Sequence, residues 1–291
     1  MKARGERKQE PGSSPGSAPS SFPLPISSLP DEVREVADAL IAALGEDLRA
    51  LLWHGSFARG EAGPESDNDM IIVLRRIEDD VLLQMRDVFR RRRNWSTFVQ
   101  SEQELRQFPD AGRLQFHFGL VPLYGDFEPP PFTRENVVAD LCRLASDISF
   151  QCRYRLLHKQ PENAPTDKRV AAVQGYRNAR MLGYAAKMAV LALKARELMD
   201  GRDYPATRAE LRARLSDAGE LAILDTVERW PELRPRYEAD ITPLALQLDA
   251  FARRLVAALP GPSPGNSKSE TRNPGGQLST REFPVSKEAG Q

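Results

Sequence analysis

Two short apolar runs, Leu48–Trp53 and Met70–Leu74, bracket a polar loop that opens with His54-Gly55-Ser56 and closes with Asp67-Asn68-Asp69. Each run has strand length and turn residues at its ends, so the segment is predicted as two buried strands joined by a Gly- and Pro-containing loop. Side chains at i and i+2 of a strand share a face. Asp67 and Asp69 then converge on one spot, where only a divalent cation makes two close carboxylates tolerable. Oxygen ligands of this kind suit Mg²⁺, which keeps several waters and takes substrate phosphates as further ligands.

The Gly-Ser turn supplies the other half of such a site. Gly55 has no Cβ, so backbone N–H groups can approach a phosphate closely, and Ser56 adds a hydroxyl donor. A helix starting after Ser56 would favour the same anion through its dipole. Together these parts suit a nucleoside triphosphate held for in-line attack, with nucleotidyl transfer and release of pyrophosphate as the expected chemistry. Taken singly each piece is also an ordinary turn or strand cap.

Trp53-His54-Gly55-Ser56-Phe57-Ala58-Arg59-Gly60 and Ser66-Asp67-Asn68-Asp69-Met70-Ile71-Ile72-Val73, with ten residues between Ser56 and Asp67, resemble the signature of minimal nucleotidyltransferases of the DNA-polymerase-β superfamily. The resemblance covers residues 30–125 and is most specific at the motif itself. It implies an NTP-binding fold with ATP as the expected donor and Mg²⁺ held by the catalytic pair Asp67 and Asp69. Gly55, Ser56 and Arg59 would lie on the triphosphate, although a loop arginine such as Arg59 can equally form a surface ion pair. The family usually carries a third carboxylate on a later strand. In this chain the predicted strand Trp95–Gln100 contains no Asp or Glu, and Gln100 cannot accept a proton. Three readings follow: Glu102 (or Glu104) reaches back, the acceptor or another helix supplies the base, or the protein binds nucleotide with little turnover.

The expected architecture is α+β. A small polymerase-β-like nucleotidyltransferase domain, a mixed sheet flanked by helices, spans residues 26–131; an all-α helical bundle spans 132–259. In the first part, Val33, Val36, Ala37, Leu40, Ile41 and Leu44 recur at helical spacing before Gly45, a helix is predicted over Glu78–Arg92 and another over Glu102–Phe108, and a last strand over Leu114–Leu123. Arg90–Arg93 closes a helix, where cations suit the negative end of the dipole. After the Pro129-Pro130-Pro131 linker, helices are predicted over Arg134–His158, Lys168–Met199, Thr207–Ser216, Leu221–Trp230 and Ile241–Leu259. Val173, Tyr176, Arg180, Tyr184, Met188, Leu191 and Leu198 are taken to mark the packed face of the longest helix. The Pro-, Gly- and Ser-rich tails, residues 1–25 and 260–291, are expected to be disordered.

Partners follow from charge and motif. Forty-one basic residues balance forty-one acidic ones, so the whole molecule has no bias toward nucleic acid or an anionic membrane. The expected partners are an NTP and an acceptor, small molecule or protein, in a cytoplasmic setting, since no apolar run is long enough for a membrane span and no signal-peptide core is present. By analogy with aminoglycoside nucleotidyltransferases, the bundle would wall an acceptor cleft. Lys187 and Lys194, seven apart, share a helix face and either approach the phosphates or form a solvated stripe. Arg153 and His158 have the spacing of HEPN-type ribonucleases, though five residues do not align them closely on a helix. A catalytically weak, regulatory or antitoxin-like nucleotide-binding protein is the alternative. Cys142 and Cys152 are read as reduced core residues.

Overall fold

Helix α1 (Asp31–Leu44) turns Val33, Val36, Ala37, Leu40 and Leu44 inward and ends at Gly45. A 3-10 turn delivers the chain into β1 (Leu48–His54), after which a four-residue helix, α2 (Gly55–Ala58), and a loop lead to β2 (Asn68–Leu74). Helix α3 (Asp79–Phe89) crosses to β3 (Trp95–Ser101), α4 (Glu102–Arg106) follows, and β4 (Val121–Gly125) completes the sheet. The computed structural model describes residues 29–64, 66–158 and 167–260; the predicted tails, apart from Pro260, lie outside the described residues.

The sheet is mixed, in the order β3-β2-β1-β4, with β2 and β3 parallel and the other pairs antiparallel. Both its faces are covered, which is why β1 and β2 read as nearly continuous apolar runs. On one face Leu51, Met70, Ile72 and Leu74 pack against α1 and against Val81 and Met85 of α3. On the other, Ala50, Leu52, Ile71 and Val73 meet Leu105 and Phe116, where Phe108 and Phe116 pack edge-to-face at 4.9 Å. Arg92 donates to the carbonyl of Val88 at 2.6 Å, so the arginine run does finish a helix, one that closes at Phe89 rather than Arg92.

From Arg134 the chain is helical: α5 (Arg134–His158), α6 (Lys168–Met199), α7 (Arg208–Arg214), α8 (Ala218–Glu228), α9 (Trp230–Ala239) and α10 (Thr242–Ala258). The α+β architecture is thus the one expected. Helix α5 packs on α6 and α10, and α6 also meets α8 and α9. A methyl placed on Gly183 of α6 would stand 2.5 Å from the ring of Trp230, so the absence of a side chain there sets how near α9 lies. Among the described residues no helix is long and apolar enough to cross a membrane.

Several expectations are overturned. The strand predicted over Leu114–Leu123 is a 3-10 turn at Arg113–Phe116 followed by β4 from Val121, because Asp140 pins this stretch. Asp140 on α5, fully buried, accepts from the backbone N–H of Gly112 at 2.5 Å and of Leu114 at 2.9 Å. The face assigned to α6 is also wrong: Val173, Tyr176, Tyr184 and Leu191 are exposed, while Ala179, Leu182, Ala186, Ala189 and Leu193 are buried. Of the predicted set only Met188 is in the core, since small residues let neighbouring helices approach and carry the packing. Helix α9 is absent from the expected set; Arg229 breaks the helix and Pro231 suits the first turn of a new one. Cys152 is buried, but Cys142 is exposed, and both are free thiols.

Replacing Asp140 by Ala leaves two backbone donors without their acceptor. The expected loss is about 2–4 kcal/mol, read from urea unfolding of the wild type and the Asp140→Ala variant.

Candidate functional site

The antiparallel register of β1 and β2 places His54 opposite Asp69. The next residue, Gly55, has φ +81°, and a Cβ added there would lie 1.9 Å from Oδ2 of Asp69. Glycine is therefore required twice, for a backbone that L side chains rarely adopt and for the volume its neighbour's carboxylate fills. Ser56 sits in the first turn of α2, and its carbonyl accepts from the N–H of Glu61, which folds the loop back on itself. Strand pairing and glycine together bring Gly55, Ser56 and Asp69 to one place.

Asp67 is exposed and Asp69 half-buried, and the two carboxylates interact. Burial, and then the charge of Asp67, push the Asp69 carboxyl up to about 6, while Arg59 and Lys187 oppose this and Ser96 bonds to it. Two mutually repelling oxygen donors beside a cradle that a Cβ would fill make a donor set that fits a divalent cation. Among the described residues no group of three His, Cys, Asp or Glu is placed to share a metal, so further ligands would have to be water or substrate.

Among the described residues no third carboxylate completes the pair. In the parallel register Ser96 of β3 is level with Asp69, at the position where an acid would join it. Glu102 contributes nothing to the site: its carboxylate accepts from Arg49 at 2.9 Å, and Glu104 forms a capping box with Ser101. Ser101 pairs with Leu74, five residues along the strand from Asp69, which is roughly 16 Å. Neither glutamate reaches Asp69, and the reading in which Glu102 folds back is excluded.

Arg59 is held in an ion pair. Its Nε donates to Glu61 at 3.1 Å, and Glu61 also accepts from the backbone and side chain of Arg208 on α7. Burial alone would raise the Glu61 carboxyl, but Lys194, the Arg208 N–H and Arg59 outweigh it and hold the group below the usual range. Lys194 is buried rather than part of a solvated stripe; its Nζ donates to the carbonyl of Ala206 at 2.9 Å and lies 5.9 Å from the Tyr204 ring centre. Burial brings its ammonium down to about 8. Lys187, seven residues earlier, is exposed and acts on Asp69.

Two residues near the motif escape sequence reasoning. His54 is held neutral, lowered to about 4 by burial and by Arg59, with Asp67 opposing. Its only sequence signal is its place before Gly55. Glu61 could have been suspected from its proximity to Arg59 alone. Arg153 and His158 line one cavity between α5 and α10, where Arg153 donates to Asp249 at 2.7 Å and the His158 ring lies 5.3 Å from that of Tyr154.

No protein-family model matches the chain, and no curated protein does. Among solved structures, similarity is found to the crystal structure of spectinomycin adenyltransferase AAD(9) from Enterococcus faecialis with ATP and spectinomycin. Identity is 12%, the TM-score 0.43, and the match covers 78% of this chain and 98% of that one.

Two measurements check the geometry. Because the folded protein holds the Asp69 proton more tightly than a free carboxyl of 3.8, its stabilising share is full below that value and lost as pH rises through about 6. In chelator, Asp69→Asn should therefore exceed wild type in stability by about 1–2 kcal/mol near pH 8, after allowing for solvent screening, and match it near pH 4. Gly55→Ala adds backbone strain on the order of 1–3 kcal/mol and displaces the Asp69 carboxylate. Calorimetric titration with Mn²⁺ should lose its binding signal in that variant, while far-UV circular dichroism stays unchanged.

Proposed function

We propose that this chain binds a nucleoside triphosphate, with ATP the expected donor, and transfers its NMP group to a small-molecule or protein acceptor with release of pyrophosphate, in a cytoplasmic setting. The observation that carries this reading is Gly55: its missing side chain is the space occupied by the carboxylate of Asp69. That arrangement sets the Gly55-Ser56 turn directly against one carboxylate of the pair, a closeness that neither a plain turn nor a plain strand cap requires. Asp67 and Asp69 would hold Mg²⁺, which when bound neutralises charge on the phosphoryl oxygens. Gly55 and Ser56 would hold the triphosphate through backbone N–H groups and a hydroxyl. Arg59 keeps Glu61 and α7 against the motif and would contribute positive potential near the phosphates. The sheet part and the helical part would act as nucleotide-binding and acceptor-binding domains, divided near residue 131.

A second reading is favoured by one specific residue. Ser96 stands level with Asp69 and can bond to it but cannot take a proton at neutral pH, so the site would bind nucleotide and turn over slowly. The acceptor, or a regulatory partner, would then set whether transfer occurs.

The test is incubation with Mg²⁺ and each α-labelled NTP, following label transfer and pyrophosphate release. Wild type should release pyrophosphate, and Asp67→Ala/Asp69→Ala should lower it about 10²-fold or more. Ser96→Asp, which supplies an acid at that level, should raise turnover if the second reading is right. Nucleotide binding with no product in wild type or in Ser96→Asp, across a broad acceptor panel, would leave a binding protein and reject the transferase.

A further inference from the structure

Helix α6 presents one continuous exposed stripe. Tyr176, Arg177, Arg180, Tyr184 and Lys187 fall within about a third of the helix circumference at 100° per residue, and all are exposed. From Lys168 to Arg196 the helix contains no Asp or Glu. Arg177, Arg180 and Lys187 have no ion-pair partner among the described residues. The guanidinium of Arg234, ion-paired to Glu238 at 3.1 Å, lies 5.6 Å from the centre of the Tyr176 ring and borders the stripe.

This charge arrangement breaks a local rule. The first turn holds Lys168 and Arg169 and no acid, although the helix dipole is positive at that end. The Asp167 carboxylate caps the helix start, accepting from the N–H of Arg169 at 2.7 Å, but Arg177, Arg180 and Lys187 further along have no acidic partner on the helix, and departures of this kind mark function. Two tyrosines alternate with the cations, so the stripe offers planar faces and positive charge together. The zero net charge of the whole molecule conceals this patch, since its acids lie on other elements.

Position gives the stripe a direction. Lys187 acts on Asp69, and Tyr176 stands about 16 Å from Lys187 along the helix. We propose that this face of α6 binds a single-stranded polynucleotide, whose bases stack on Tyr176 and Tyr184, whose phosphates meet Arg177, Arg180 and Lys187, and whose end lies beside Asp67 and Asp69. Aromatic platforms interleaved with cations are the general chemistry of single-strand binding. That the end serves as nucleotidyl acceptor rests on the function proposed above; the binding itself does not. A polycationic acceptor is disfavoured at this face by like charge.

The test is fluorescence anisotropy with a 5′-fluorescein 12-nucleotide RNA of mixed sequence, in chelator and without NTP, over a salt series. Binding should be saturable at low salt, with log K falling against log salt at a slope of about −2, as expected for three phosphates neutralised on a single strand. Arg177→Gln/Arg180→Gln/Lys187→Gln should lose at least tenfold in affinity and flatten the slope. Tyr184→Ala should weaken binding roughly fivefold or more with the slope unchanged. These four side chains are exposed, so unfolding midpoints should match wild type. Absence of saturable binding, or binding unchanged in the triple variant, would overturn the proposal. So would displacement by poly-glutamate at equal affinity with no effect of Tyr184→Ala, which would assign the face to an acidic protein segment. Because the binding mixture holds no nucleotide or metal, a failure to bind RNA is distinguishable from failure of the transferase reading.

Discussion

The pairing of β1 with β2 is the constraint on which the rest hangs. Both strands are buried on both faces, and a slip of one residue would turn every side chain to the opposite face. Leu51 and Met70 would exchange surroundings with Leu52 and Ile71, and two differently shaped cores would have to be rebuilt. The apolar packing therefore fixes the register, and the register, with the missing side chain of Gly55, puts Asp69 beside the turn. A polar site is thus held in place by contacts that are themselves entirely apolar.

Much of this is legible in the sequence because it is written in local patterns. The apolar runs of β1 and β2, the period of α1 and the Gly55-Ser56 and Asp67-Asn68-Asp69 groups each carry their own signal. What escapes depends on partners far along the chain. Asp140 holds a turn where Leu114–Leu123 reads as a strand, and no pattern within that stretch announces a carboxylate 26 residues away. Glu102 and Glu104 follow the third strand closely in sequence, but the direction of that strand puts both at the end remote from Asp69. For α6, large residues are expected to mark the packed side, yet alanines do, because close helix approach rewards small volume.

Zero net charge has a local counterpart at the motif. Arg59, Glu61, Arg208 and Lys194 bring three cations and one carboxylate into a half-buried cluster that spans the β1–β2 loop, α6 and α7. The carboxylate is shared, so moving α7 would leave charges on the loop without their partner, and that is costly away from water. The stacked rings of Phe118, just before β4, and Tyr204, between α6 and α7, 4.3 Å apart, add an apolar contact beside this cluster. The loop that carries Arg59 and the helices behind it are in this way mechanically joined.

The two sides of α6 answer to different demands. Its inward side is crowded with Ala179, Ala186, Ala189 and Gly183, where even a methyl group can collide with a neighbour. Its outward side, from Tyr176 to Lys187, touches few atoms of the fold and can be rewritten at little cost to stability. A single helix therefore joins a tightly packed spine to a surface free of packing demands, and outward residues near Asp69 can be exchanged with the packing that positions the carboxylates left untouched.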